Sequence, residues 1–133
     1  MSSLIQSNQV IIQASMTNAG QTLSANDSGK TIILPAATGA GTLTLPPVQA
    51  GLRYRIIMSA TAAQIITIRP TAGNTVQGVL LVNNAGTTNT IAKNAANSVQ
   101  FTATAVAGDS IELTSDGTLY YVTGSSAVAA GLA

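Results

Sequence analysis

The chain has 133 residues, of which five are Lys or Arg, four are Asp or Glu, and none is His, Cys or Trp. A formal net charge of +1 gives no electrostatic footprint for nucleic acid or anionic lipid. The groups that exchange protons, attack or ligate a metal are few and unclustered in sequence, which argues against an enzyme and against a cofactor or metal site.

The elements follow from apolar alternation punctuated by Gly, Pro and Asn. Residues 1–9 are mostly polar and read as a flexible N-terminal arm. Val10 to Met16 is a β-prone first strand, and Gln21 to Ser24 a short extended piece after the Thr17–Gly20 turn. The loop Ala25-Asn26-Asp27-Ser28-Gly29 precedes a strand from Lys30 to Leu34, which Pro35 stops. Thr42-Leu43-Thr44-Leu45 alternates as a half-buried strand does, and Pro46-Pro47 ends it. Leu52 to Ser59 carries the clearest pattern: Leu52, Tyr54, Ile56 and Met58 share one face, and Arg53, Arg55, Ile57 and Ser59 the other. Gln64 to Arg69 reads as its hairpin partner.

Further strands are expected at Thr75 to Val82 and Thr87 to Ile91, with Lys93 to Asn97 as loop. In the strand from Ser98 to Ala105, Val99, Phe101, Ala103 and Ala105 face inward. Ser110 to Thr114 and Thr118 to Thr123 flank the hairpin turn Ser115-Asp116-Gly117. No segment holds a 3.6-residue apolar stripe. About nine to eleven short strands argue for an all-β fold, an antiparallel β-sandwich or jelly-roll-like barrel. A β-helix is the alternative, disfavoured by the absence of a fixed repeat. The domain is expected at 10–123, followed by an Ala-rich tail at 124–133 that is either disordered or tucked under a neighbouring subunit. No apolar run is long enough for a membrane span, and no signal peptide is visible, so synthesis in the cytoplasm is expected.

Asp27, Asp109 and Asp116 read as turn formers, and Glu112 lies on a strand. The alternating acids of a calcium loop are absent. Arg53 and Arg55 share a strand face, with Arg69 expected near them. These three can form a solvated face or a subunit contact in which a guanidinium meets a neighbour's carboxylate or carbonyl, Glu112 being the expected partner. Tyr120-Tyr121 put one ring on each face of the last strand, one packed inward and one exposed or in an interface. Gly29-Lys30-Thr31 lacks both the earlier glycine and the following helix of a phosphate loop.

Ile33-Leu34-Pro35, Gly41 to Pro46, Gly51-Leu52-Arg53-Tyr54-Arg55-Ile56, Ile66-Thr67-Ile68-Arg69-Pro70, Gly73 to Gly78 and Ser115 to Val122 together resemble an element of bacteriophage virion proteins, across roughly residues 30 to 123. Such elements occur in head decoration proteins, minor capsid proteins and tail-fibre or spike modules. The resemblance implies a non-catalytic all-β homotrimer in the virion. The short length favours a capsid decoration or cement protein, with the major capsid protein as partner. A tail-fibre or receptor-binding spike module, or a carbohydrate-binding module, is the alternative. A sugar platform is hard to build with 3% aromatic residues.

Overall fold

A computed structural model describes residues 10–133. The expected arm at 1–9 lies outside the described residues. Eleven strands follow in order: β1 (Val10–Ile12), β2 (Gln21–Thr22), β3 (Thr31–Leu34), β4 (Gly41–Thr44), β5 (Ala50–Met58), β6 (Ile66–Arg69), β7 (Val76–Asn84), β8 (Thr87–Ala96), β9 (Val99–Phe101), β10 (Ser110–Asp116) and β11 (Tyr120–Ser126). They form a large sheet in the order β1-β3-β5-β10-β11-β7-β8 and a small sheet in the order β2-β4-β6-β9. The all-β expectation and the strand number hold.

The expected antiparallel connectivity holds for only part of the molecule. The first six strands alternate between the sheets, and each lies parallel to the strand two before it. Their path is that of a short two-sided coil, the winding expected of a β-helix. Only the later strands bring in antiparallel pairs: β9 on β6, β10 on β5, β11 on β10, and the β7–β8 hairpin, which joins the large sheet through a parallel β7–β11 pair. β5 and β6 are therefore not a hairpin. They lie in different sheets, and β6 pairs with β4 and β9 instead.

Alternation sets which side chains enter the core. On β5, Leu52, Tyr54, Ile56 and Met58 are buried while Arg53 and Arg55 are exposed. One apolar cluster draws on both sheets, with Ile32 and Leu34 of β3, Leu43 of β4, Ile66 and Ile68 of β6 and Phe101 of β9 among its members. Each such side chain contributes roughly 1.5–3 kcal/mol through burial. Ala103, expected inward, is exposed, because β9 stops at Phe101 and the chain turns there. Lys93 to Ala96, expected as loop, continues β8.

The tail expected at 124–133 is part of the domain. Gly124 to Ser126 complete β11, and Leu132 is buried. The Gln100 N–H donates to Ala133 O at 2.7 Å, the Ala133 N–H to Gln100 O at 3.1 Å, and the Thr102 N–H to Gly131 O at 3.0 Å. The tail thus lies along β9 of its own chain, which replaces both expected readings of it.

Two buried phenols fasten distant segments. Tyr54 donates to Ser24 O at 2.8 Å and Tyr120 to Pro46 O at 2.8 Å. Burial pushes both hydroxyls up, that of Tyr120 to about 12. An acid whose folded pKa is raised adds stability that is complete below the ordinary tyrosine value of 10 and is lost as pH rises through the folded pKa. Alkaline titration followed by tyrosinate absorbance and circular dichroism should therefore show two of the three tyrosines ionising together with loss of structure, between pH 10 and about 12. Smooth ionisation of all three in a folded protein would contradict their burial.

Candidate functional site

The outward face of the large sheet carries most of the residues singled out from the sequence. Strand pairing arranges them in rows. One row runs Thr31, Arg55, Glu112, Thr123, Val79 and Ala92. A flanking row runs Ile33, Ile57, Ser110, Ser125, Leu81 and Thr90. On the other side stand Arg53, Thr114, Tyr121 and Gln77. The charges gather over β5 and β10, and exposed apolar side chains flank them, Val10 on β1 and Val79 and Leu81 on β7.

Arg55 and Glu112 are cross-strand partners within one chain, with Nε to Oε1 at 3.5 Å. Both side chains are about half exposed, so the pair contributes at most about 1 kcal/mol. Glu112 was expected to receive a neighbouring subunit's guanidinium, and here it receives its own chain's. Arg53 stands beside this pair, opposite Thr114. Arg69 does not join them, since β6 belongs to the small sheet. An open depression of about 590 Å³ lies over this region, lined by Lys30, Thr31, Arg53, Arg55, Glu112 and Thr114 among others. Lys30 in turn pairs with Asp27 at 3.3 Å.

Tyr120 is the inward ring and Tyr121 the outward one. Tyr121 is 48% exposed and donates to Asp116 Oδ2 at 2.9 Å. The N–H groups of Thr118 and Leu119 donate to the other oxygen of Asp116, at 2.8 and 3.1 Å. These bonds hold the Asp116 carboxyl below its ordinary value, and the carboxylate in turn raises the Tyr121 hydroxyl.

All four carboxylates serve the scaffold. Asp27 accepts from the Ser24 N–H at 2.9 Å, which is the main reason its pKa is lowered, and pairs with Lys30. Asp109 is buried and receives three hydrogen bonds. Asp116 closes the β10–β11 turn and Glu112 braces β5 against β10. Among the described residues no three His, Cys, Asp or Glu side chains group as metal ligands. Asp109 and Asp116 lie at opposite ends of β10, too far apart to share a cation.

Sequence reasoning missed two features of this face. Val79 and Leu81 are 43% and 42% exposed on the outer side of β7. The unbroken run Val79-Leu80-Leu81-Val82 was the available signal, because a strand places such a run on both faces. The second is the length of β8, whose Thr, Asn and Ala side chains lack a pattern that marks a strand. No family model, curated protein or solved structure matches the chain.

Proposed function

We propose that this chain is a non-catalytic structural protein of a virion, a decoration protein that binds the outside of a capsid and stabilises its lattice. One observation carries the binding role: a broad β surface on which Tyr121, Val79 and Leu81 stand exposed beside an Arg55–Glu112 pair that is already satisfied. Exposed apolar and aromatic groups with a polar border are the composition of a protein contact surface. The virion setting follows the resemblance of residues 30 to 123. Stabilisation then needs no chemistry, because a ligand that binds only the assembled shell favours assembly by mass action.

The test uses shells of the parent virus purified without this chain. Leu81→Glu should leave the circular dichroism of the free protein unchanged and weaken shell binding about 30-fold, the effect of losing an anchor of ~2 kcal/mol. Shells saturated with the unaltered protein should melt at a higher temperature than bare ones. Full binding by the variant removes this face from the contact. A chain found only at the tail tip, in a few copies per particle, replaces the decoration reading with the spike reading.

A further inference from the structure

The geometry points to β8 as a site where a second copy of this chain adds edge to edge, joining two large sheets into one across a two-fold axis at Thr90. The contact stands independently of capsid binding.

Sheet edges expose unpaired backbone groups, and proteins blunt them with short strands, cover or charge. Three of the four edges here are blunted. β1 has three residues and β2 has two. β9 has three, and the tail residues Gly131 to Ala133 lie against it. β8 has ten residues, and among the described residues no strand pairs with its outer side. Residues 83 to 90 at the hairpin end are all exposed. Lys93 is the only charge on the strand.

The hairpin turn fixes which backbone groups face outward. Ala85 and Gly86 have φ of 52° and 83°, as in a two-residue primed turn between the paired Asn84 and Thr87. Such a turn makes Asn84 and Thr87 a hydrogen-bonded pair. The antiparallel alternation then gives the N–H and C=O of Thr88, Thr90 and Ala92 to the open side. These three residues are exposed.

The same chemistry selects the partner. Antiparallel pairing of β8 with its own copy about Thr90 sets Thr90 against Thr90 and Thr88 against Ala92, with about six backbone hydrogen bonds. Lys93 then faces Thr87, and the two Lys93 side chains stand about 20 Å apart along the strands, so no like charges meet. The strand needs no complementary acid from a foreign partner. A two-fold through one residue also makes the contact self-complementary, as closed dimers require.

Proline at Thr90 removes an N–H that faces away from β7, so Thr90→Pro should fold normally while losing the contact. Sedimentation velocity from about 10 μM to 1 mM, the range a small interface calls for, should show the unaltered chain passing from monomer to dimer and Thr90→Pro remaining monomeric. The chain has no Cys, so a single cysteine reports position directly. Thr90→Cys should form a disulfide dimer under mild oxidation, because the paired Cα atoms stand about 5.5 Å apart, within disulfide range. Thr88→Cys should react about tenfold more slowly, its mate being about 13 Å away along the strands. A monomer throughout the range, or an oligomer that survives Thr90→Pro (the homotrimer of the virion resemblance included), overturns the inference. Loss of the dimer in Thr90→Pro with unchanged shell binding leaves the capsid reading standing.

Discussion

Gly78→Ala should leave the protein unfolded or insoluble, at a cost of ~4 kcal/mol or more. Gly78 lies on β7 at φ 151°, a conformation that side chains rarely adopt. It is paired with Val122 across the parallel β7–β11 seam. A Cβ at Gly78 would collide with the Val122 carbonyl oxygen, and that oxygen belongs to backbone fixed on both sides by strand pairing. The β7–β8 pairing also shifts register between Val76 and Gly78, so the glycine absorbs a bulge in one neighbour while closing against the other. Gly73→Ala separates strain from collision. Gly73 has φ 92° but nothing within 4 Å of its added Cβ, so only the backbone cost of about 1 kcal/mol applies. Urea unfolding of the two variants checks the contrast. A Gly78→Ala protein with an unchanged midpoint would mean that β7 and β11 do not approach as closely as this.

The strands themselves were legible because their cause is local. Period-two alternation placed Leu52, Tyr54, Ile56 and Met58 on the inner face of β5, and Asp116-Gly117 marked the turn between β10 and β11. The connections were not legible, because alternation states which face is buried and is silent about which strand lies alongside. A strand in a parallel coil alternates like one in a hairpin, so β6 read as the partner of β5. The coil also hides its period. Thr31 stands beside Val10 and Arg55 beside Thr31, steps of 21 and 24 residues. In the small sheet the steps are 22 and 25. A repeat that lengthens at every turn leaves no fixed spacing to find.

The site was legible in its residues and misread in its pairing. Arg53, Arg55, Glu112 and Tyr121 do share one face, because their strands are adjacent in the large sheet. Arg69 was drawn in only by the supposed β5–β6 hairpin. The far half of β8 escaped because Lys93-Asn94-Ala95-Ala96 has no burial pattern and reads equally well as loop, whereas Thr87 to Ile91 was legible as a strand.

The second large effect is expected at Asp109, where the buried carboxylate latches the tail to the domain. Asp109→Ala should lower the unfolding free energy by about 3 kcal/mol, the cost of leaving one buried and two part-buried donors without their acceptor. Asp109 Oδ1 accepts from the Ala127 N–H at 2.9 Å, and Oδ2 from the Val106 N–H at 2.9 Å and the Ser126 hydroxyl at 2.6 Å. Its residue is 2% exposed, so water does not readily replace these bonds. Ser126 passes the constraint on, since its hydroxyl accepts from the Val128 N–H at 3.1 Å, and Gly131 packs so closely that a Cβ there would collide with the same oxygen. The tail reaches β9 through this corner. Its release should free the Gln100 and Ala133 amides, whose mutual hydrogen bonds cover the open side of β9. Ser126→Ala removes one donor and keeps the carboxylate bonded to two N–H groups, so about 1 kcal/mol should be lost and the tail should stay docked. Urea unfolding gives the energies, and amide hydrogen exchange at Gln100 and Ala133 reports the docking. Loss of stability with exchange at Gln100 unchanged would mean that Asp109 braces only the β9–β10 turn. Stability within about 1 kcal/mol of the unaltered protein would mean that water takes over the part-buried Val106 and Ala127 N–H groups and that Asp109 is not a latch.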